Sequence, residues 1–448
     1  MSRIPFKPMA LVCVFPGLFL PPAVSADAPD KLSNVDPRPI VIAHRGASGR
    51  RPEHTLSAYR LALVEGADFV ELDLVLTRDG ELIARHENAL AVVALDDAGR
   101  PERDGGGRPR VLEATTDVAE RAEFADRLTV KHVDGRPVAG WFSEDFTLAE
   151  IGTLRARERM PDVRPWNRLY DDSEGIPTLA DAVALLNAWQ AEGGGARGLY
   201  IELKHPTYFS HEGRFLDGTP IRMDLGARLL EGLTAAGFID PDRLYIQCFE
   251  VAPLMMLRNE LEVRGIPIPL IQLFGDVQNR GYRAAPRDMV WGAGTGETDV
   301  YGALAGLIDG GISADLTYAD LATPEVLAFM AGHYAAGIGP PVASVLHLEA
   351  VPGGGNVTFG GEAEPFLGRA RAAGLLVHPY TLRAEAPFLL RFRGRLLPVA
   401  DLAGILLDAG VNGFFIDQPD EGRLAVGRFL GMATVRDAAA ELERTGPL

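Results

Sequence analysis

One repeated unit constrains the fold more than any other feature: a short run of β-branched and apolar residues that stops at a charged or polar side chain, followed by a stretch with helical spacing. Ile40-Val41-Ile42-Ala43 stops at His44-Arg45-Gly46. Thr55 to Glu65 then carries Leu56, Tyr59 and Leu63 on one helical face, and Phe69 to Leu76 alternates Glu71 and Asp73 against Val70, Leu72 and Leu74. Leu82 to His86 reads as a third strand. After a break, strands are expected at Leu199 to Leu203, Leu244 to Gln247, Leu270 to Phe274, Leu375 to His378 and Gly413 to Ile416. Helices are expected from Pro177-Thr178 through Trp189, over 323–337 and near 400–409. Strand, helix, strand in this rhythm builds parallel β/α units, and about eight of them suit a TIM (β/α)8 barrel. A doubly wound open sheet is the alternative, weakened because no Gly-x-Gly-x-x-Gly follows the first strand.

By length alone, 448 residues suggest two or three domains, but a barrel with insertions reaches this size as one unit. Residues 88–175 interrupt the rhythm with Gly-Gly-Gly, scattered prolines and many charges, and read as an insertion that caps one end of the scaffold. Residues 275–310 are Gly-rich and expected to be loop. The barrel domain is then 39–430, with 431–448 as a C-terminal tail.

Arg3 and Lys7 precede an apolar stretch from Met9 to Leu20, and Val24 and Ala26 stand at −3 and −1 of a cleavage site. This is the pattern of a secretory signal peptide over 1–26, with 27–38 as a linker. A periplasmic or secreted protein is expected. Only Cys248 would remain after cleavage, so no intramolecular disulfide is possible. No second stretch is long and apolar enough to span a membrane, so stable membrane insertion is not expected.

A formal charge of −17 and the lack of a basic stripe argue against nucleic-acid binding. A small anionic substrate remains compatible, provided that local positive charge offsets the general field.

Polar residues at the C-terminal ends of barrel strands are the usual catalytic positions. Here they are His44, Arg45, Glu71, Asp73, His86, Glu202, Lys204, Gln247, His378 and Asp417. Glu71 and Asp73, at i and i+2, point to the same side of a strand. Inside a barrel such a pair needs a cationic partner; a divalent ion would satisfy it, with Glu202 as third ligand. Oxygen ligands favour Mg2+ or Ca2+ over Zn2+. An exposed strand face is the bland alternative. Two strand-end histidines, His44 and His86, could take and give a proton in phosphodiester cleavage, although lone histidines are more often ordinary core or surface residues. Arg45 and Lys204 could neutralise phosphoryl charge. Lysine is scarce, four against forty arginines, which draws attention to Lys204; a salt bridge to Glu202 is its alternative.

The segments His44-Arg45-Gly46-Ala47-Ser48-Gly49, Pro52-Glu53-His54-Thr55, Gly66-Ala67-Asp68, Glu71-Leu72-Asp73 and Thr77-Arg78-Asp79-Gly80 resemble the signature of glycerophosphodiester phosphodiesterases. Glu202-Leu203-Lys204, His378-Pro379-Tyr380-Thr381 and the run from Gly410 to Asp420 resemble that family's later motifs, most of all those of its periplasmic bacterial branch. The resemblance covers roughly 39–90 and 176–425. It implies a TIM barrel with an inserted segment after the third strand, and hydrolysis of glycerophosphodiesters to sn-glycerol 3-phosphate and an alcohol. It further implies His44 and His86 as general acid and base, Glu71, Asp73 and Glu202 as ligands of Ca2+ or Mg2+, and Arg45 and Lys204 on the phosphate, with Glu53 orienting groups near the metal. Gln247 and Tyr380 join the expected substrate-binding set. The family usually has His-Asp where this chain has His86-Glu87, and 275–370 is longer and richer in glycine than the resemblance implies.

Two other readings stay open at this level. A lysophospholipase D would need an apolar ramp, which Trp141-Phe142, Phe146 and Phe209 could supply. A non-catalytic phosphodiester-binding protein would not need both His44 and His86.

Overall fold

The computed structural model describes residues 38–278, 285–349 and 356–431. Its centre is a set of parallel strands: β1 (Ile40–Ala43), β2 (Phe69–Leu76), β3 (Gly198–Leu203), β4 (Leu244–Cys248), β5 (Leu270–Leu273), β6 (Gly337–Gly339), β7 (Leu376–Val377) and β8 (Gly413–Ile416). They pair in the order β7-β6-β5-β4-β3-β2-β1-β8, each strand beside its neighbour in sequence except at the return to β8. The two ends of that path meet through Asn412 N to Val377 O (3.0 Å), Phe415 N to Pro379 O (3.0 Å) and Leu382 N to Phe415 O (2.9 Å). This is a TIM (β/α)8 barrel. All described residues fall in one unit, Asp36–Leu448.

The strands are apolar almost throughout because both faces are covered. All eight residues of β2 are buried, with Val70, Leu72 and Leu74 outward against the helices and Glu71 and Asp73 inward. Around the barrel lie α1 (Leu56–Val64), α2 (Leu179–Ala191), α3 (Leu225–Ala235), α4 (Val251–Arg264), α5 (Pro324–His333), α6 (Pro365–Ala372), α7 (Val399–Ala409) and α8 (Pro419–Phe429), one after each strand. Their starts follow from local chemistry: Thr55, Thr178, Asp224 and Thr323 each accept a hydrogen bond from a first-turn backbone N–H, which satisfies an otherwise orphan donor.

The third strand in chain order does precede the insertion, but it is not a barrel strand. Leu82–Ala84 runs antiparallel to β2, pairing Leu74 with Ala84 and Leu76 with Leu82. β3 instead pairs with β2 in parallel, setting Asp73 opposite Glu202. The eighth barrel place belongs to β6, which sequence periodicity missed because two of its three residues are glycine. Their small size is required there. A Cβ on Gly337 would fall 2.7 Å from Leu376 Cβ, and one on Gly339 would fall 2.5 Å from Leu273 Cδ2.

The inserted residues form a four-stranded antiparallel sheet, ordered Val111–Ala114, Ala89–Val93, Arg136–Phe142, Thr129–Val133. Trp141, Phe142 and Phe146 are fully buried there, and Phe209 is buried as well. They pack the core and form no exposed apolar ramp. The stretch expected to be loop at 275–310 contains a helix, Arg287–Thr295, and helical turns over Asp299–Leu307. The signal peptide, the linker up to residue 37 and the tail from residue 432 lie outside the described residues.

Candidate active site

The C-terminal ends of the barrel strands surround a cavity of about 270 Å³. His44, Arg45, Glu71, His86, Glu202, Gln247 and Tyr380 line it, joined by Phe249, Leu273, Pro341, Thr381, Arg383 and Phe415. Residues 336 positions apart in the chain thus share one wall, from His44 to Tyr380.

The turn after β1 places the first two groups. Arg45 and Gly46 both have positive φ (59° and 83°), and a Cβ on Gly46 would meet the Ala58 backbone at 2.7 Å. Only glycine fits that approach to α1. The Arg45 backbone N–H donates to Glu71 Oε2 (2.6 Å), and its guanidinium Nη1 donates to both Glu53 oxygens (2.9 Å each). Glu53 also accepts from Arg159 Nε at 3.0 Å. It therefore sits behind Arg45, outside the cavity lining, and holds that guanidinium in place.

Glu71, Asp73 and Glu202 bring ligand oxygens within 4.8 Å of one another. Asp73 Oδ2 accepts from His54 Nε2 (2.9 Å), whose Nδ1 then accepts from the Tyr59 hydroxyl (3.0 Å). Asp73 Oδ1 is buried with no hydrogen-bond partner. Burial and the adjacent Asp73 carboxylate raise the Glu71 pKa well above the carboxylate range. Three buried carboxylates, one of them with an orphaned oxygen, form a hard, all-oxygen donor set, and it fits a divalent cation of the Ca2+ or Mg2+ type.

Lys204 is not among the residues that line the cavity. Its Nζ donates to Glu202 Oε1 (2.8 Å) and lies 3.8 Å from Asp73 Oδ1. The geometry is that of the salt bridge, with the ammonium partly neutralising the carboxylate cluster. Gln247 does line the cavity, and its Oε1 is buried without a hydrogen-bond partner. Tyr380 also lines it, and its hydroxyl donates to Phe274 O (2.7 Å). His378, read as a strand-end residue, is held inside the barrel instead. Its Nδ1 meets the Tyr200 hydroxyl at 3.0 Å, and burial lowers its pKa to about 3.

The two cavity histidines share a design. His44 Nδ1 lies 2.6 Å from Asp417 Oδ1, and His86 Nδ1 lies 2.9 Å from Glu87 Oε1. A carboxylate only accepts, so each Nδ1 carries the proton and each Nε2 keeps its lone pair. Burial, then the Arg45 charge, lowers the His44 pKa to about 4. The same two causes, in the same order, put His86 well below its usual value. Both rings are neutral near pH 7. Asp417 Oδ2 accepts in turn from Arg383 Nε (2.8 Å) and from Arg164 Nη2.

Sequence reasoning noticed Asp417 as a strand end but not as the partner of His44. It missed Arg383, Arg159 and Arg164 altogether. Arg159 and Arg164 belong to the inserted segment, and nothing local in their sequence marks them.

The model of the glycerophosphoryl diester phosphodiesterase family matches residues 44–299. The chain belongs to this family. A glycerophosphodiester phosphodiesterase of Arabidopsis thaliana is 29% identical over 386 residues, covering 85% of this chain and 84% of the relative. One from Haemophilus influenzae is 27% identical over 394 residues, covering 86% and 88%. Among solved structures, a chain from Silicibacter pomeroyi, named for the same activity, superposes with a TM-score of 0.52 at 17% identity, covering 90% of this chain and 98% of that one. The last likeness concerns the fold. Family membership makes this glycerophosphodiester phosphodiesterase a phosphoric diester hydrolase with a small-molecule substrate. Among the described residues no helix is long and apolar enough to cross a membrane.

Proposed function

We propose that this chain is an exported, divalent-metal-dependent enzyme that hydrolyses glycerophosphodiesters to sn-glycerol 3-phosphate and an alcohol such as choline or ethanolamine. One observation carries the reading. Two neutral imidazoles, each backed by a carboxylate at Nδ1, line the same cavity as Arg45 and two of the three clustered carboxylates, Glu71 and Glu202. A divalent cation held by Glu71, Asp73 and Glu202 would supply Lewis-acid stabilisation of phosphoryl charge. Arg45, fixed by Glu53, adds a guanidinium that suits phosphate oxygens. One imidazole Nε2 takes the proton of the substrate's free glycerol hydroxyl as that oxygen attacks phosphorus. The other must first take up a proton at its Nε2 from solvent, and it then gives that proton to the departing alkoxide. The cyclic phosphate so formed is opened by water, with the two imidazoles exchanging roles.

The lysophospholipase alternative loses its main support, because the four aromatic residues that would have formed an acyl ramp are core. Export rests on the cationic, apolar and small-residue pattern of the first 26 residues. The test is a substrate panel of glycerophosphocholine, glycerophosphoethanolamine and a lysophospholipid, with and without chelator. Turnover of the first two that depends on added metal is expected. Preference for the lysophospholipid would overturn the substrate assignment.

A further inference from the structure

Glu87 does more than meet His86. Its second oxygen, Oε2, lies 2.9 Å from Nε2 of His205, and Nδ1 of His205 lies 2.8 Å from Asp134 Oδ2. Both ring nitrogens of His205 therefore face carboxylate oxygens, which can only accept. The ring must carry two protons and a positive charge. The two carboxylates outweigh burial and lift its pKa to about 10, so the charge persists at neutral pH.

The partners come from three separate parts of the chain. Glu87 follows His86 after the strand Leu82–Ala84, His205 follows the end of β3, and Asp134 lies between the inserted strands Thr129–Val133 and Arg136–Phe142. Asp134 and Gly135 both have positive φ (49° and 77°), the tight reversal that points this hairpin at the barrel mouth. The His44 side is built alike: imidazole, then carboxylate, then the cations Arg383 and Arg164. On the His86 side the cation is an imidazolium, and it is anchored by one more carboxylate.

We propose that His205 and Asp134 are positioning residues of the reaction: through Glu87 they hold His86 in the orientation and tautomer that turn its Nε2 to the substrate. This rests on the reading of His86 as an acid–base group. The rival account is a tether, in which Asp134 and His205 only dock the inserted hairpin on the barrel. A tether would affect unfolding without affecting the chemistry.

The experiment measures kcat and KM on glycerophosphocholine, with thermal unfolding alongside, for His205→Ala, His205→Gln and Asp134→Asn. Each variant is also made in a Glu87→Ala background, and His86→Ala is included. Loss of an orienting partner should lower kcat by about 10- to 100-fold with little change in KM. His205→Gln, which keeps one N–H donor for Glu87, should retain more activity than His205→Ala. In the Glu87→Ala background, removing His205 should cost little more, because the link to His86 is already cut. Wild-type kcat in the His205 and Asp134 variants, or full additivity with Glu87→Ala, would overturn the inference while leaving His86 as catalyst. Wild-type turnover in His86→Ala would instead remove the reading beneath it. If His205→Ala fails to fold, His205→Gln and Asp134→Asn decide alone.

Discussion

Nδ1 of His44 stands 2.6 Å from Oδ1 of Asp417, a residue 373 positions further along the chain. The contact fixes the imidazole proton on the side away from the cavity. It also gives Arg164 and Arg383 a shared counter-ion.

Asp417→Asn should therefore act twice. It would weaken the hold on the His44 tautomer and lower kcat, and it would leave a buried guanidinium without its full partner. Removing one member of a buried pair costs about 3–5 kcal/mol, which a urea unfolding curve would register. Unchanged stability and unchanged kcat together would contradict the contact.

His44→Ala and His86→Ala should each reduce turnover by about 10²–10⁴-fold, the usual contribution of a positioned acid or base, while circular dichroism stays native. Near-normal rates in either folded variant would refute the acid–base pair.

Chelation should abolish activity, and added Ca2+ or Mg2+ should restore it. Asp73→Asn should weaken metal binding, measured directly by titration calorimetry with each ion. An enzyme fully active in excess chelator would rule out the metal role of the three carboxylates.

The buried His378 predicts a pH dependence of stability. Its folded pKa is about 3, below the ordinary 6.5. Between those values the unfolded chain binds the proton more readily, so stability is fully present above about pH 6.5 and declines as the pH falls toward 3. His378→Gln should flatten the slope in that window. An unaltered slope would mean that the ring is not the group responsible.

Glu87→Asp shortens the one side chain that meets both His86 and His205. A modest fall in rate or a change in substrate preference is expected from the same kinetic panel. A variant identical to wild type would place Glu87 outside the functional network.

The signature from His44 to Asp73 was legible because its residues are close in sequence and alternate on strands whose inward face carries charge. Eight parallel units were also legible, but one was assigned to the wrong segment. A three-residue strand such as Leu82–Ala84 carries no mark of its direction, and Gly337–Gly339 lacks the side chains on which periodicity depends. Lys204 stands out in the sequence by its rarity, yet only three-dimensional contact shows that its ammonium pairs with Glu202. The partners behind the site residues, Arg159, Arg164, Asp134 and His205, are joined to them by long-range ion pairs and hydrogen bonds that no local pattern encodes.

The inserted segment, residues 88–175, has a practical consequence for anyone wishing to shrink this enzyme. It supplies Arg159 to Glu53, Arg164 to Asp417 and Asp134 to His205. A minimal version cut back to the bare eightfold scaffold would still display every motif by which the family is recognised. It would do so with Glu53 lacking Arg159, Asp417 lacking Arg164 and His205 lacking Asp134, so recognisability in such a miniature would be a poor guide to whether it works.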